Sequence, residues 1–144
     1  MYIFLDIDGV LNTQSQWSRM YQLNTSCIEN FCTFVKQQSN AKIILTSSWR
    51  SGFEKNGSCL PQIQNLIDKL SVYDVSIFDK TKKSPNDDRQ REIEYFLQRN
   101  PKEPYIIIDD DKTLYHGIKG LYITDAKIGF SQKDIKKAGK AIVR

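Results

Sequence analysis

Three places in the sequence put reactive side chains directly after short apolar runs. Asp6-Ile7-Asp8-Gly9 follows Tyr2 to Leu5, Thr46-Ser47-Ser48 follows Lys42 to Leu45, and Asp109-Asp110-Asp111 follows Tyr105 to Ile108. Apolar runs that stop abruptly read as buried strands of a parallel sheet, and such sheets bind ligands outside the carboxyl ends of their strands. The three groups therefore fall along one edge. Carboxylates gathered there repel one another unless a cation sits among them, and hard oxygen donors are what Mg²⁺ selects. Asp6 and Asp8, two apart, would share a face of a continuing strand, whereas Gly9 lets the chain turn sharply and aim them separately. One carboxylate can then attack while the other handles protons. The Thr46 hydroxyl, with Ser47 beside it and nearby backbone N–H groups, is placed to hold phosphate oxygens, and a Lys or Arg to neutralise charge in the transition state.

The elements that must position these groups follow from periodicity. Tyr2 to Leu5 is a first strand. Ile28, Phe31, Cys32 and Val35 recur at helical spacing after Ser26, which forms a capping box with Glu29. Lys42 to Leu45 is a second strand, and Pro61 opens a second helix carrying Ile63, Leu66, Ile67 and Leu70. Val72 to Phe78 reads as a third strand. Ser84-Pro85-Asn86-Asp87 supplies a cap, a first-turn proline and an acid for a third helix through Ile93, Phe96 and Leu97, ending near Asn100-Pro101. Tyr105 to Ile108 and Leu121 to Thr124 are the last two strands, and Ser131 with Asp134 caps a final helix through Ile135, Ala138 and Ile142. Gln14-Ser15-Gln16 reads as polar loop. Strand and helix alternate throughout, the pattern of a Rossmann-like three-layer α/β sandwich with a mainly parallel sheet. No repeat or linker divides the chain, and its 144 residues suit a single domain, 1–144.

At these residues the sequence resembles the haloacid dehalogenase (HAD) superfamily over nearly its whole length. Asp6-Ile7-Asp8-Gly9-Val10-Leu11 looks like the first motif, Thr46 like the second, Lys83 or Arg89 like the basic third, and Asp109-Asp110 like the acidic fourth. Leu11-Asn12-Thr13, Leu45 to Arg50, Arg89-x-x-Glu92-Ile93 and Ile108 to Asp111 are further similar to the HAD subgroup of Swiss Army Knife RNA repair proteins. The resemblance implies a Mg²⁺-dependent phosphatase in which Asp6 attacks phosphorus to form an aspartyl-phosphate, and Asp8 first protonates the leaving oxygen and then activates water. It implies metal ligation by Asp6, the backbone carbonyl of Asp8, and Asp109 or Asp110, with Asp111 blurring that register. An acid at Asp8 favours phosphate transfer over carbon–halogen cleavage, which needs no general acid. The superfamily's cap insertions fall where this chain has only Asn12 to Ala41 and Arg50 to Lys82, each largely used by one helix, so no cap domain is expected.

The remaining features bound the reading. No apolar run approaches the ~20 residues that cross a bilayer. The N-terminus lacks the basic start of a signal peptide, and Cys27, Cys32 and Cys59 form no CxxC pair, which fits a reduced cytoplasmic setting. A lone His116 offers no zinc set and reads as a loop residue. Lys133, Lys136, Lys137 and Lys140 suit the solvated end of the last helix. A phosphoacceptor receiver domain would need an acceptor Asp at a strand end before its Thr in mid-chain, and there is none. A non-catalytic phosphate-binding module would not need both Asp6 and Asp8. The expected partner is a phosphorylated substrate, with no obligate protein partner evident. An uncapped site suits a long substrate, and a net charge of +4 with Trp49-Arg50 beside the site points to a terminal phosphate on a nucleic acid, RNA foremost. Trp49 has packing at the rim of the core as its competing role. A small phosphometabolite or mononucleotide is the alternative substrate.

Overall fold

The computed structural model describes residues 1–144. Five strands, β1 (Tyr2–Leu5), β2 (Lys42–Leu45), β3 (Ile77–Lys80), β4 (Tyr105–Asp109) and β5 (Leu121–Ile123), form one sheet in the order β3-β2-β1-β4-β5. Every pairing is parallel. β1 lies at the centre with all four residues buried, as expected of a strand covered on both faces.

Alternation along the strands divides the core in two. Ile3, Leu5, Ile43, Leu45, Ile106 and Ile108 face the larger core, filled by α2 (Thr25–Lys36), α3 (Pro61–Ser71) and α5 (Gln132–Gly139). Tyr2, Phe4, Ile44 and Ile107 face the other side, where α4 (Arg89–Arg99) lays Ile93 against them. Phe96 of α4 meets Tyr2 and Phe4 edge-on at 5.2 and 5.5 Å between ring centroids. The sandwich is therefore three-layered, as the alternation of elements implies, and the same two-residue period carries the Tyr2–Phe4 face on to Asp6, on the side of α4.

Several boundaries differ from the sequence expectation. The third strand is Ile77–Lys80, not Val72 to Phe78. The chain instead turns after α3, with Asp74 at φ 58° and Val75 N–H donating back to Leu70, and Val75 plugs the core while Val72 is exposed. α4 starts at Arg89 with Asp88 as its cap, because Ser84 to Asp87 close a separate turn in which the Ser84 hydroxyl accepts from Asp88 N–H. α2 is capped by Asn24, whose side chain accepts from Cys27 N–H, rather than by Ser26. The Gln14 stretch expected as loop forms a one-turn helix, α1 (Gln14–Trp17). α5 has the expected Ser131–Asp134 capping box but stops at Gly139, so Ile142 lies beyond it, next to a lone antiparallel bridge between Val143 and Tyr105.

Between β1 and β2 the chain forms only α1 and α2, and between β2 and β3 only a single 3-10 turn (Ser48–Gly52) and α3. No helix is long and apolar enough to cross a membrane.

Candidate active site

The register of the sheet brings the acids together. Leu5 of β1 is level with Ile108 of β4, and Asp6 N–H donates to the Ile108 carbonyl at 3.0 Å, so Asp6 and Asp109 leave adjacent strands side by side. Carboxylate oxygens of Asp6, Asp109 and Asp110 lie within 4.8 Å of one another. Arg89, the first residue of α4, reaches both strand ends: its Nη1 is 3.2 Å from Asp6 and 2.9 Å from Asp109. The Asp88 cap sets this, since it starts the helix where Arg89 faces the sheet.

Asp109 is fully buried and saturated. One oxygen accepts the backbone N–H groups of Asp110 and Asp111 at 2.7 and 3.0 Å, and the other accepts from Tyr115 Oη at 2.6 Å and from Arg89. Asp109 thus fastens the start of the loop and anchors Arg89. Asp110 is half-buried, and Asp111 turns away to cap its own 3-10 turn by accepting from Thr113 N–H. Of the acidic triplet, Asp110 is the one with room for a ligand.

Asp8 stands apart from this cluster. Asn12 Nδ2 donates to one of its oxygens at 3.0 Å, and Trp49 Nε1 to the other at 3.1 Å. Asn12 is itself held through its Oδ1, which accepts from Gly9 N–H and from Trp17 Nε1, both at 2.9 Å. Gly9 adopts φ 81°, and a Cβ there would come within 2.4 Å of Asp110 Oδ2. Gly9 is therefore required twice, for the turn that separates Asp6 from Asp8 and for the close approach of Asp110.

Thr46 directly follows β2 and is fully buried, and its hydroxyl has no partner in the protein. Ser47 accepts from Trp49 N–H at 3.2 Å and so shapes the turn beyond the strand. Arg50, expected as a substrate contact, is half-buried and acts as a strut, donating to the Thr46 carbonyl at 2.8 Å and to Glu92 at 3.1 Å. Glu92 also accepts from Ser84 N–H and Oγ, tying the loop before α4 to the turn after β2. Lys83 does not reach the acids: it lies on the surface, paired with Asp87 at 3.4 Å. Of the two basic candidates, only Arg89 touches Asp6. Trp49 packs in the core, and its indole N–H donates to Asp8, a contact outside the two roles expected of it.

Electrostatics at the site favour a cation. Burial first, and Asp109 next, push the Asp6 carboxyl well above the usual carboxylate range, against the opposing pull of Arg89. Burial and Asp109 likewise push Asp110 up to about 6. Burial alone would lower the Arg89 pKa, but Asp6 and Asp109 outweigh it and raise it, so the guanidinium stays charged. One guanidinium facing three acids leaves negative charge uncompensated, and an all-oxygen donor set of this size fits a small divalent cation.

Asn12, Tyr115 and Glu92 were not among the expected site residues. Asn12 and Glu92 do fall within the stretches that carry the subgroup resemblance, but Tyr115 sits in a loop with no periodic or motif signal.

A parallel sheet with acids ending its two central strands, a hydroxyl ending the next and a cation arriving from a following helix is a HAD-type domain. The chain belongs to the family described as the HAD domain in Swiss Army Knife RNA repair proteins, whose pattern matches residues 2–135. No curated protein and no solved structure matches the chain. Membership of this family points to a phosphatase-type hydrolase, and HAD domains generally use a divalent metal.

Proposed function

We propose that the protein is a Mg²⁺-dependent phosphomonoester hydrolase working through an aspartyl-phosphate on Asp6. The observation that carries this reading is the convergence of Asp6, Asp109 and Asp110 within 4.8 Å while Asp8 is held separately by Trp49 and Asn12. Asp6 and Asp110, with the backbone carbonyl of Asp8, would hold the metal, with Asp109 anchoring them. When bound, the metal offsets the charge of these carboxylates and of the phosphate.

An oxygen of Asp6 forms a bond to phosphorus as the bond to the leaving oxygen breaks, and Asp8 gives that oxygen its proton. Asp8, now a carboxylate, takes a proton from water, whose oxygen attacks phosphorus and releases phosphate and the free Asp6 carboxylate. Thr46 donates to a phosphate oxygen, and Arg89 orients Asp6 and favours its ionised form against burial and Asp109. The short connections between β1 and β2 and between β2 and β3, filled by α1, α2, one 3-10 turn and α3, support an uncapped domain. The free cysteines are consistent with a reducing cytoplasmic setting.

The substrate we propose is a terminal phosphate on a nucleic acid, supported by the family's association with RNA repair and by the open site. Purified protein is expected to release phosphate from an aryl phosphate with Mg²⁺ and to stop with a chelator. Asp6→Asn should lower turnover at least a thousandfold, and hydroxylamine should trap the acyl-phosphate on Asp6. Wild-type turnover by Asp6→Asn overturns the mechanism. Equal efficiency on mononucleotides and on phosphate-ended oligonucleotides at low salt overturns the nucleic-acid substrate and favours a small phosphate ester.

A further inference from the structure

A large depression shares Arg89, which touches Asp6, with the candidate active site. It has a volume of about 1090 Å³ and lies between the Ser48–Gly52 turn, the segment that follows β3, and α4. Its walls carry six cations, Arg50, Lys80, Lys82, Lys83, Arg89 and Arg99, against three carboxylates. Some of these cations are internal struts: Arg50 is bound to Glu92, and Lys80 donates to the carbonyls of Arg50 and Phe53 at 3.2 and 2.7 Å. Lys82 and Arg99, by contrast, form no ion pair with any carboxylate of the chain.

Two further features of the groove point to its occupant. Tyr95 is exposed in its wall, with the Arg99 guanidinium 5.7 Å from the ring centroid and donating to the phenol oxygen at 3.1 Å. The Thr81 hydroxyl, in a residue that is 1% exposed and also lines the groove, has no partner in the protein. A small-molecule pocket is lined mainly by apolar side chains, whereas only two residues here are hydrophobic. A basic track with an exposed aromatic surface is the combination that single-stranded nucleic acid takes, its backbone on the cations and a base on the ring. An acidic peptide would use the cations and leave Tyr95 without a role. α4 rises ~1.5 Å per residue, which sets Tyr95 ~9 Å and Arg99 ~15 Å along the helix from Arg89. The track is therefore longer than one phosphate and meets the site at Arg89.

We propose that this groove holds the single-stranded segment adjoining the terminal phosphate of a nucleic-acid substrate, with phosphodiesters at Lys82 and Arg99 and an unpaired base on Tyr95. The inference rests on the nucleic-acid reading of the site and says where such a substrate lies. Because base stacking needs an unstacked strand, a blunt duplex is excluded from the groove.

The test is fluorescence anisotropy with the full chain carrying Asp6→Asn, using dye-labelled, phosphate-ended oligonucleotides of RNA and DNA, as single strands and as blunt duplexes. Single strands are expected to bind better than duplexes, with affinity rising with length to a plateau at about four nucleotides or more. Adding Lys82→Gln and Arg99→Gln together should raise Kd at least tenfold and reduce the salt slope by about one to two. Tyr95→Ala should raise Kd severalfold with the salt slope kept. Thermal melting of each variant verifies folding, and Tyr95→Phe, which keeps the ring, should bind like the parent. RNA binding above DNA assigns contacts to the 2′-hydroxyl, and equal binding assigns the groove to the backbone common to both. Unchanged Kd in the folded Lys82/Arg99 and Tyr95 variants, or tighter binding of the duplex, overturns the proposal. Aryl-phosphate hydrolysis by the wild type is scored separately: turnover with unchanged oligonucleotide binding removes the groove and leaves the phosphatase, whereas groove-dependent binding without any turnover does the reverse.

Discussion

Trp49 Nε1 donates to Asp8 Oδ2 at 3.1 Å, joining the turn after β2 to the loop after β1 across 41 positions of sequence. With Asn12 on the other oxygen, the indole fixes both the position and the orientation of the carboxylate proposed to move protons. Trp49→Phe removes the donor while keeping an aromatic ring in the core. A hydrogen bond to a charged group contributes about 1.5–3 kcal/mol, part of which water can replace at this half-buried carboxylate. We expect kcat to fall about tenfold with KM for an aryl phosphate nearly unchanged. A rise in KM at constant kcat would instead place Trp49 in substrate binding.

Arg89 is the only cation touching Asp6 and Asp109, both of which are buried. Removing one partner of a buried ion pair costs about 3–5 kcal/mol because the remaining charge is left uncompensated. Arg89→Met should therefore melt at lower temperature than the wild type in the absence of metal, and Mg²⁺ should recover part of the loss. Lys83→Ala removes only an exposed pair with Asp87, for which ~0–1 kcal/mol is usual, so its melting temperature should shift far less. Equal stability of Arg89→Met and the wild type without metal would show that the acids are neutralised by protonation alone.

The difference between Arg89 and Lys83 also shows what the sequence makes legible. Asp6, Thr46 and Asp109 can be placed because each ends an apolar run, and strand ends in a parallel sheet share an edge. Choosing between Lys83 and Arg89 depends on where α4 begins, and two competing caps precede it. Asp88 prevails over Ser84 because Ser84 is drawn into the turn closed by Asp87, and because its backbone N–H and hydroxyl reach the buried Glu92. The third strand is misplaced for a similar local reason. Val72 to Phe78 is β-prone, but the left-handed Asp74 reverses the chain. Edge strand β3 instead carries polar Asp79 and Lys80, with Lys42 and Lys55 over the Phe78 ring. Tyr115 reaches Asp109 through a loop path that no period encodes.

Gly9 and Asp110 allow no side chain between them. Gly9→Ala puts a methyl group at 2.4 Å from Asp110 Oδ2 and forces a left-handed backbone, which alone costs about 1–2 kcal/mol. The acid must swing away, so the Mg²⁺ concentration for half-maximal activity should rise at least tenfold, accompanied by a lower melting temperature. Asp110→Asn should raise the same metal requirement without the backbone strain. If Gly9→Ala loses stability but keeps the wild-type metal requirement, Asp110 is not a ligand.

Asp110 also sets a pH dependence. Its carboxyl is pushed up to about 6, against ~3.9 for an unfolded aspartate, so the metal-free native chain holds this proton more tightly than the unfolded chain. The resulting stability is present below about pH 4 and is lost as pH rises through about 6. A bound cation competes with the same proton, so the thermal shift produced by Mg²⁺ should be small near pH 5 and grow through about pH 7. A shift of equal size at both ends of that range would show that Asp110 plays no part in binding the ion.

Thr46 gives the sharpest separation of function from stability. Its hydroxyl and that of Thr81 are buried side-chain polar groups with no partner in the protein, an arrangement that costs roughly 1–3 kcal/mol relative to a satisfied group. In the proposed site, a phosphate oxygen supplies the missing partner to Thr46. Thr46→Val keeps the shape and removes an unsatisfied hydroxyl, so the free protein should melt at the same temperature or higher. Turnover should fall about 10- to 100-fold, the loss of one to two hydrogen-bond equivalents in the bound and transition states. Thr46→Ser should retain most of the activity because it keeps the donor. A stability loss in Thr46→Val with unchanged kcat/KM would mean that the hydroxyl serves the fold and that phosphate is held elsewhere.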